Sequence, residues 1–268
     1  MTNNTKTITP LLDFKVRKVG IVARDYNVRF PNGYRDFSHA LPDILALLDK
    51  KGCDTALFSL YSIIPRKDYD ILPTLTQYAN LKMVCVEEFR DCRTGRKAGH
   101  YVVYCKAPDG WEEWRFLQAF GRVNWQSQCA EIETFAQKRI PTRVFGSCCV
   151  LVCGETNGVK YDRSGSKKVH DPCGVRNAIP PHVHVILNPV HDRMSRFEMV
   201  MKRRFLSEGG RWVVSVWNRG KLDKHGRTRD GASPPWTVFY DGEAVHIRKI
   251  TNGLGVDIGY LDVGPTFS

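Results

Sequence analysis

The 268-residue sequence lacks several features that define large classes of proteins. No window approaches the roughly 20 apolar residues of a membrane-spanning helix, so we expect no membrane partner. Residues 1–10 are polar and show no apolar stretch of a signal peptide, which favours a cytoplasmic protein. No GxxxxGK(S/T) phosphate loop and no internal repeat occur, and these absences exclude a P-loop nucleotidase and a repeat array.

A regular cysteine framework is also missing, because the nine cysteines are odd in number and irregularly spaced. Several lie in apolar runs such as residues 147–153 (SCCVLVC), as expected of reduced thiols in a cytosolic protein. With 42% hydrophobic and 11% aromatic residues, the chain can fill a large core without a disulfide or a metal. We expect an N-terminal tail over residues 1–14, a single domain over residues 15–268, and no cofactor.

Acidic residues are scarce relative to basic ones, with 28 Asp and Glu against 40 Lys and Arg, which gives a formal net charge of +12. Such a charge makes a polyanion partner plausible. The basic residues are scattered, however, and the densest groups, at residues 202–204 and 221–229, are short. A basic surface that is merely solvated is the alternative interpretation.

Hydrophobic periodicity predicts strands and helices that alternate early in the chain and hairpins that follow. Strands are predicted at residues 18–23, 55–60, 82–86, 144–153, 183–187 and 211–217, helices at 37–48, 71–78 and 196–207, and hairpins at 101–116 and 236–249. This order indicates a layered α/β fold with a mixed sheet. The stretch 157–181 has no regular pattern and is predicted to be a lid or a binding loop.

Residues 150–157 (VLVCGETN) form the most informative run of the sequence. A buried strand ends at Cys153, and Gly154 then allows a sharp turn, which places a thiol at the carboxyl edge of a sheet. A thiolate at that position is a strong nucleophile, and nearby turn amides can lower its pKa and bind an oxyanion. The alternative is a buried structural cysteine, like its neighbours Cys148 and Cys149.

Five segments taken together resemble the carbon–nitrogen hydrolase (nitrilase) superfamily. Residues 153–157 resemble its cysteine elbow, and residues 183–189 (VHVILNP) are similar to the strand that follows. Residues 202–208 resemble its next helix, residues 211–218 the strand after it, and residues 231–233 the segment before a hairpin. The segments occur in the family's order, and the resemblance covers about residues 15–250.

The resemblance implies a four-layer α-β-β-α sandwich with mixed sheets, in subunits that usually associate into homo-oligomers through their helices. It also implies hydrolysis of a non-peptide C–N bond in a small amide or nitrile. Cys153 would attack the substrate carbon and form an acyl-enzyme that water resolves. A glutamate would act as general base, and a lysine would stabilise the oxyanion.

The chain departs from the family at both of these supporting positions. Leu60 stands where the glutamate is expected, and Phe116 stands where the lysine is expected. Glu87 or Glu88, at the end of the third strand, is a candidate replacement for the base, and Arg115 is a candidate cation. An unassisted thiol, with a pKa of about 8.5, is only a few per cent ionised at neutral pH. The alternative is therefore a catalytically degenerate binding module of the same fold, with a basic surface that is a candidate for binding nucleic acid or a nucleotide.

Four further residues are candidates for substrate binding: Glu155, Asn157, Asn188 and His191. Glu155 is expected to shape the elbow. Asn188, together with Asn218, is expected to hold the backbone and not to react.

A competing site is suggested by His182 and His184, which form a His-hydrophobic-His pattern on a strand. This pattern is similar to the metal site of HUH single-strand endonucleases, and His191 could complete a set of three histidines. Such an enzyme needs a nucleophilic tyrosine, for which only Tyr26 or Tyr34, far upstream, are candidates.

A zinc site is a further alternative, built from His170, Cys173, Cys153 and His182. Their spacing matches no compact zinc pattern, so the sequence alone gives this site little support.

Overall fold

The architecture is described by a computed structural model. It covers residues 14–25, 36–66, 70–92, 95–125, 127–191, 197–220, 225–227 and 233–264. The described residues form strands β1 (Lys18–Arg24), β2 (Thr55–Phe58), β3 (Met83–Cys92), β4 (Gly95–Ala107), β5 (Gly110–Phe116), β6 (Val144–Phe145), β7 (Cys148–Val150), β8 (Lys160–Tyr161), β9 (Val169–His170), β10 (Val185–Pro189), β11 (Trp212–Val216), β12 (Trp236–Tyr240), β13 (Glu243–Val245), β14 (Arg248–Ile250) and β15 (Val256–Asp262). Their α-helices are α1 (Leu41–Lys50), α2 (Leu72–Leu75), α3 (Cys129–Thr134) and α4 (Phe197–Ser207).

Two shorter helical stretches lie close to the residues discussed below. Helix α3 continues through a π-helical turn, Phe135–Arg139, and a 3-10 turn, Ile140–Arg143. A separate 3-10 helix, Cys153–Gly158, follows β7.

The strands form two mixed sheets and a small two-stranded ribbon. The first sheet has the order β14-β15-β1-β2-β3-β4-β5, and the second has the order β13-β12-β11-β10-β7-β6. Strands β1, β2 and β3 are parallel, as are β7, β10 and β11, while the outer strands pair antiparallel. Each sheet thus has a parallel centre, whose carboxyl ends define one edge.

Three apolar layers hold the sheets and helices together. Between the sheets pack side chains such as Leu57 and Val103 of the first sheet and Leu187 of the second. The opposite face of the first sheet packs against α1 and α2, and the opposite face of the second packs against α3 and α4. Because successive side chains along a strand point to opposite faces of the sheet, each strand contributes to the apolar layers on both of its faces. The predicted four-layer α-β-β-α fold with mixed sheets is confirmed.

Helix α1 shows how local sequence sets this packing. Its buried residues Leu41, Ile44, Leu45 and Leu48 recur at helical spacing and form one apolar stripe. Each fully buried side chain of this kind contributes roughly 1.5–3 kcal/mol relative to exposure. The helix lies so close to β1 that a Cβ on Gly20 would come within 2.5 Å of Leu48 Cδ2.

The long strand predicted at residues 144–153 is broken into β6 and β7. Gly146, between them, has a φ of +56°, and a Cβ there would lie 2.0 Å from the carbonyl oxygen of Phe14. Only glycine fits this turn. The predicted loop 157–181 is not free of regular structure, because it contains the ribbon β8–β9.

Among the residues that the structure describes, no helix combines the length and the apolar character needed to cross a membrane.

Candidate active site

Cys153 lies at the sharp turn between β7 and the 3-10 helix. Its φ is +47°, in the left-handed region that residues other than glycine seldom adopt. Before the turn, the Leu151 amide donates to the Leu187 carbonyl at 3.0 Å, so this stretch still follows β10. The thiol is partly exposed and packs against the apolar layer between the sheets. The backbone thus presents Cys153 at the carboxyl edge of the second sheet.

The residue after the cysteine must be glycine because another loop crosses it. A Cβ on Gly154 would lie 2.5 Å from both Cα and the carbonyl oxygen of Gly121. Asn157 holds the same loop, since its Nδ2 donates to the Gly121 carbonyl at 2.8 Å. Its Oδ1 accepts from Lys202 Nζ at 3.0 Å. The contacts of Asn157 are thus structural ones.

Glu155 is buried, and its carboxylate holds the turn at Cys153 through hydrogen bonds to the surrounding backbone. Its carboxylate accepts from the backbone amides of Val152 at 2.8 Å and Ala119 at 2.6 Å, and it pairs with Arg143. Arg143 also donates to the Leu117 carbonyl at 2.8 Å. Burial raises the pKa of Glu155, and the Arg143 charge and the hydrogen bonds oppose that rise. These contacts fit the expected role in shaping the elbow.

The two positions at which the chain departs from the nitrilase pattern lie in the core between the sheets. Leu60 is fully buried there, and its carbonyl accepts from Asn218 Nδ2 at 2.7 Å. Phe116 packs against the same layer, with its ring 4.5 Å from Cζ of Arg143. Arg143, whose guanidinium stacks on Phe116, is already paired with Glu155.

Asn188 supports the elbow from the neighbouring strand. Its Nδ2 donates to the carbonyl of Leu151 at 2.6 Å and to that of Cys153 at 3.4 Å. Its Oδ1 accepts from Ser215 Oγ at 3.1 Å. The side chain therefore fixes the backbone on both sides of the turn.

His191 joins the two sheets at this edge. Its Nε2 lies 3.0 Å from Oε1 and 3.1 Å from Oε2 of Glu87, a residue 104 positions away on β3. Glu87 is buried, and its Oε2 accepts from the Tyr61 amide at 2.6 Å. Cys153 lies close enough to His191 to raise its pKa. The structure thus brings together three of the candidate residues as a Cys153–His191–Glu87 constellation.

This environment favours the charged form of His191. Burial lowers its pKa, but hydrogen bonds to Cys153 and Glu87 and the charges of both groups outweigh burial and raise the pKa to about 9. At neutral pH the ring is therefore an imidazolium between a carboxylate and a thiol. The imidazolium thus places a positive charge close to the Cys153 sulfur.

Tyr61 packs against the exposed side of this constellation. Its ring centroid lies 4.3 Å from that of His191, with the planes tilted by 40°. Its φ of +57° is again in the left-handed region. The hydrogen bond from its amide to Glu87 holds this conformation and orients the ring over the imidazole.

A buried cation, Arg203, also lies near Cys153. Arg203 of α4 is fully buried, donates from Nη1 to Thr237 Oγ1 at 2.9 Å, and places Cζ 5.8 Å from the Trp217 ring centroid. Trp217 belongs to a small apolar cluster that Cys153 packs against. Desolvation lowers the pKa of Arg203 to about 9, and the charge of Cys153 opposes that shift. A positive charge is thus available to an anion on the Cys153 sulfur.

Glu88 and Arg115 lie on the other face of the first sheet. Arg115 pairs with Glu88 at 2.6 Å and with Glu113 at 3.0 Å. Arg115 is opposite Val102, whose side chain packs in the layer beneath α1. Because directly opposite residues share a face, Arg115 points away from Cys153. The structure does not bring these two candidates to the site.

The alternative metal sites do not assemble in the described part of the chain. His182 is exposed, His184 Nε2 lies 3.0 Å from the Val16 carbonyl oxygen, and His191 binds Glu87. Tyr26 and Tyr34 lie outside the described residues.

The alternative zinc site, built from His170, Cys173, Cys153 and His182, does not form among the described residues either. His170 Nε2 lies 2.9 Å from Ser166 Oγ. Within the described ranges, the one group of three potential metal ligands is Cys129, Glu133 and Cys173.

No protein-family model and no curated protein sequence matches the chain. Among solved structures, a glutamate-to-glutamine mutant of the amidase from Nesterenkonia sp. AN1 is similar at 11% identity and a TM-score of 0.51, over 92% of this chain and 90% of that one. Its glutamate-to-leucine mutant is similar at 10% identity and a TM-score of 0.50, over the same shares. Both show covalent addition of the acetamide moiety of fluoroacetamide at the active site cysteine.

A cysteine-to-alanine mutant of the same amidase, from the nitrilase superfamily, is similar at 10% identity and a TM-score of 0.50, over 94% of this chain and 92% of that one. These likenesses show the fold. The protein has the carbon–nitrogen hydrolase (nitrilase) fold, as the order of the sequence motifs predicts.

The buried Arg143–Glu155 pair gives a first test of how the elbow is held. We expect Arg143→Met to lower the free energy of unfolding by about 3–5 kcal/mol, because it leaves the buried Glu155 carboxylate without its cation. Arg163→Met is the matched control: this arginine pairs with Glu198 on the surface, where an ion pair contributes at most about 1 kcal/mol. Urea denaturation measures both, and equal losses would contradict the role assigned to Arg143.

The raised pKa of His191 predicts a pH-dependent stability. The folded state holds this proton more tightly than the unfolded chain, whose histidine titrates near 6.5. The stabilisation is therefore complete below about pH 6.5 and is lost as the pH rises through about 9. We expect the free energy of unfolding to fall by roughly 2–4 kcal/mol across this window. His191→Gln should flatten this part of the urea-derived profile, and an unchanged slope would contradict the pairing.

Proposed function

We propose that the protein hydrolyses a non-peptide C–N bond in a small amide or nitrile, with Cys153 as nucleophile. His191 transfers protons, and Glu87 orients it. The single observation that supports this proposal is the position of His191, whose ring contacts the buried Glu87 and lies close enough to Cys153 for that residue to raise its pKa. Nucleophile, base and orienting carboxylate thus follow the logic of other cysteine and serine acyl-transfer enzymes.

The first half of the reaction on an amide starts from the thiolate–imidazolium pair. The Cys153 sulfur attacks the carbonyl carbon, and the C=O electron pair moves onto oxygen to give a tetrahedral anion. As the anion collapses, the C–N bond breaks and His191 gives its proton to the leaving nitrogen. The amine departs, and the acyl group stays on Cys153 as a thioester.

Water completes the catalytic cycle. Neutral His191 takes a proton from the water molecule while its oxygen attacks the thioester carbon. Collapse of the second tetrahedral anion breaks the C–S bond, releases the carboxylic acid and restores the Cys153 thiolate beside a protonated His191. Glu87 keeps its charge throughout and stabilises the imidazolium.

Arg203 takes over the electrostatic role for which the family resemblance implies a lysine. Its guanidinium is buried near Cys153, where charges interact more strongly than in water. In this mechanism the arginine acts through its charge and transfers no proton. A buried positive charge there stabilises the tetrahedral anions that form on the substrate.

Tyr61 and the small apolar cluster indicate the kind of substrate. Tyr61 covers His191, and Trp217, Met199 and Val190 pack around Cys153. An uncharged, compact group next to the reacting carbon fits such a site better than a charged one. We therefore infer a small neutral amide or nitrile.

Alkylation of Cys153 tests the activated nucleophile directly. Fluoroacetamide is the first probe, because its acetamide moiety is added covalently to the active site cysteine in two mutants of the amidase with the same fold, and iodoacetamide is the second. We expect one adduct, at Cys153, located by peptide mass spectrometry. At pH 6.5 the rate should be at least about tenfold above that of an unassisted thiol, of which only about 1% is ionised there.

Two adjacent glutamates provide a matched pair of variants for that measurement. Glu87→Gln should lower the alkylation rate at pH 6.5 about tenfold, because it removes the carboxylate that keeps His191 protonated. Glu88→Gln should leave the rate unchanged, since Glu88 pairs with Arg115 on the other face of the sheet. Equal effects of the two substitutions would contradict the proposed constellation.

Turnover is the decisive measurement for hydrolysis. Release of ammonia from a panel of small amides and nitriles should be abolished by Cys153→Ala and reduced about 100-fold or more by His191→Gln. If Cys153→Ala keeps full activity, the proposed mechanism is wrong. Alkylation without turnover on any member of the panel would favour a binding module of the same fold.

A polyanion partner, a homo-oligomeric state, a cytoplasmic location and a single domain over residues 15–268 stay predictions from the sequence. Salt-dependent binding to nucleic acid tests the first, and analytical ultracentrifugation tests the second.

A further inference from the structure

Two cysteines outside the candidate active site lie unusually close together. Cys129 Sγ and Cys173 Sγ are 2.8 Å apart, although the residues are separated by 44 positions in the chain. Cys129 is the first residue of α3, and Cys173 lies in the loop that follows β9. A disulfide has an S–S distance of about 2.05 Å, so a shift of less than about 1 Å would join the two sulfurs.

The two thiols differ in how easily a reagent reaches them. Cys129 is partly exposed, and its Sγ lies 3.7 Å from Glu133 Oε1. Cys173 is buried, and desolvation together with its hydrogen bond to Cys129 raises its pKa to about 12. Cys129 is therefore the thiol that meets a small oxidant, and Cys173 is the one that resolves the product.

We propose that Cys129 and Cys173 form a reversible disulfide by exchange with a low-molecular-weight disulfide such as oxidised glutathione. The Cys129 thiolate attacks one sulfur of the reagent, the S–S bond of the reagent breaks, and one thiol leaves with the proton that Cys129 released. Cys173 then gives up its proton and attacks the Cys129 sulfur, and the second thiol leaves. Two protein thiols are oxidised by two electrons, and one small disulfide is reduced to two thiols.

A bound metal is the competing use of the same residues, because Cys129, Glu133 and Cys173 are potential ligands. The geometry favours the disulfide. Two thiolates that each bind a tetrahedral zinc ion at about 2.3 Å lie roughly 3.7 Å apart, about 1 Å more than the distance observed here.

The position of the pair gives the disulfide a structural consequence. A Cβ on Gly158, at the end of the 3-10 helix that starts at Cys153, would lie 2.8 Å from Val175 Cγ2 and 3.5 Å from Phe120 Cζ. Val175 is two residues from Cys173, and Phe120 precedes α3 in the chain. The bond would therefore link the start of α3, which follows Phe120, to the loop after β9, which contains Val175. Both Val175 and Phe120 pack against the 3-10 helix that begins at Cys153. The proposed disulfide does not depend on the hydrolase function.

The test is a redox titration of the full chain in glutathione buffers. Thiols are blocked at each potential, and the digested protein is analysed by mass spectrometry. A Cys153→Ala chain is titrated in parallel, so that the reactive thiol does not complicate the map. We expect one linked peptide pair, Cys129 with Cys173, which dithiothreitol separates. We also expect the oxidised form to melt about 5 °C or more above the reduced form, because the bond closes a loop of 44 residues.

Variants and metal analysis make the outcome decisive. Cys129→Ser should lose both the linked peptide and the shift in melting temperature, whereas Cys53→Ala, in the layer beneath α1, should keep both. The proposal is overturned if both thiols stay reduced in oxidised glutathione alone. It is equally overturned if the purified protein holds one equivalent of zinc that Cys129→Ser removes.

Discussion

The bridge that His191 makes between the two sheets is the constraint on which the candidate site depends. Glu87 comes from the first sheet and Cys153 from the second, and the imidazole contacts both. A buried imidazolium is stable only if anionic or polar partners replace the water it has lost. The apolar layer between the sheets sets the separation of these partners, so the chemistry of the site depends directly on the packing of that layer.

Two strained turns face each other across this bridge, and each is held by a buried carboxylate. Tyr61 and Cys153 both adopt a left-handed conformation, which costs of order 1–3 kcal/mol at a residue other than glycine. Glu87 accepts from the Tyr61 amide, and Glu155 accepts from the Val152 amide beside Cys153. The same hydrogen bonds that offset the strain therefore also aim the aromatic ring and the thiol at His191.

The fold was predictable from the sequence, but only part of the site was. Periodicity and the order of the motifs suffice for the layers, and the glycine after Cys153 marks the elbow. Alternation along β5 could have excluded Arg115, because Trp114 and Phe116 face the core between the sheets. The pairing of His191 with Glu87 could not be predicted from the sequence, because the two residues are 104 positions apart and are brought together by two separate sheets. Arg203 carried no local signal, because its neighbours in the helix are equally basic.

The absence of both residues that the nitrilase pattern implies is easier to reconcile with the proposed function than the absence of only one would be. The resemblance implies one anionic and one cationic side chain, a glutamate and a lysine, at these two positions. Replacing only one of them would leave the other charge buried and unpaired, which is costly. Leu60 and Phe116 remove both charges from the apolar layer, and Glu87 with His191 restores a paired anion and cation at the same edge. The imidazole can also move a proton, which neither Leu60 nor Phe116 can do, so this edge of the sheets carries the groups that the proposed acyl transfer requires.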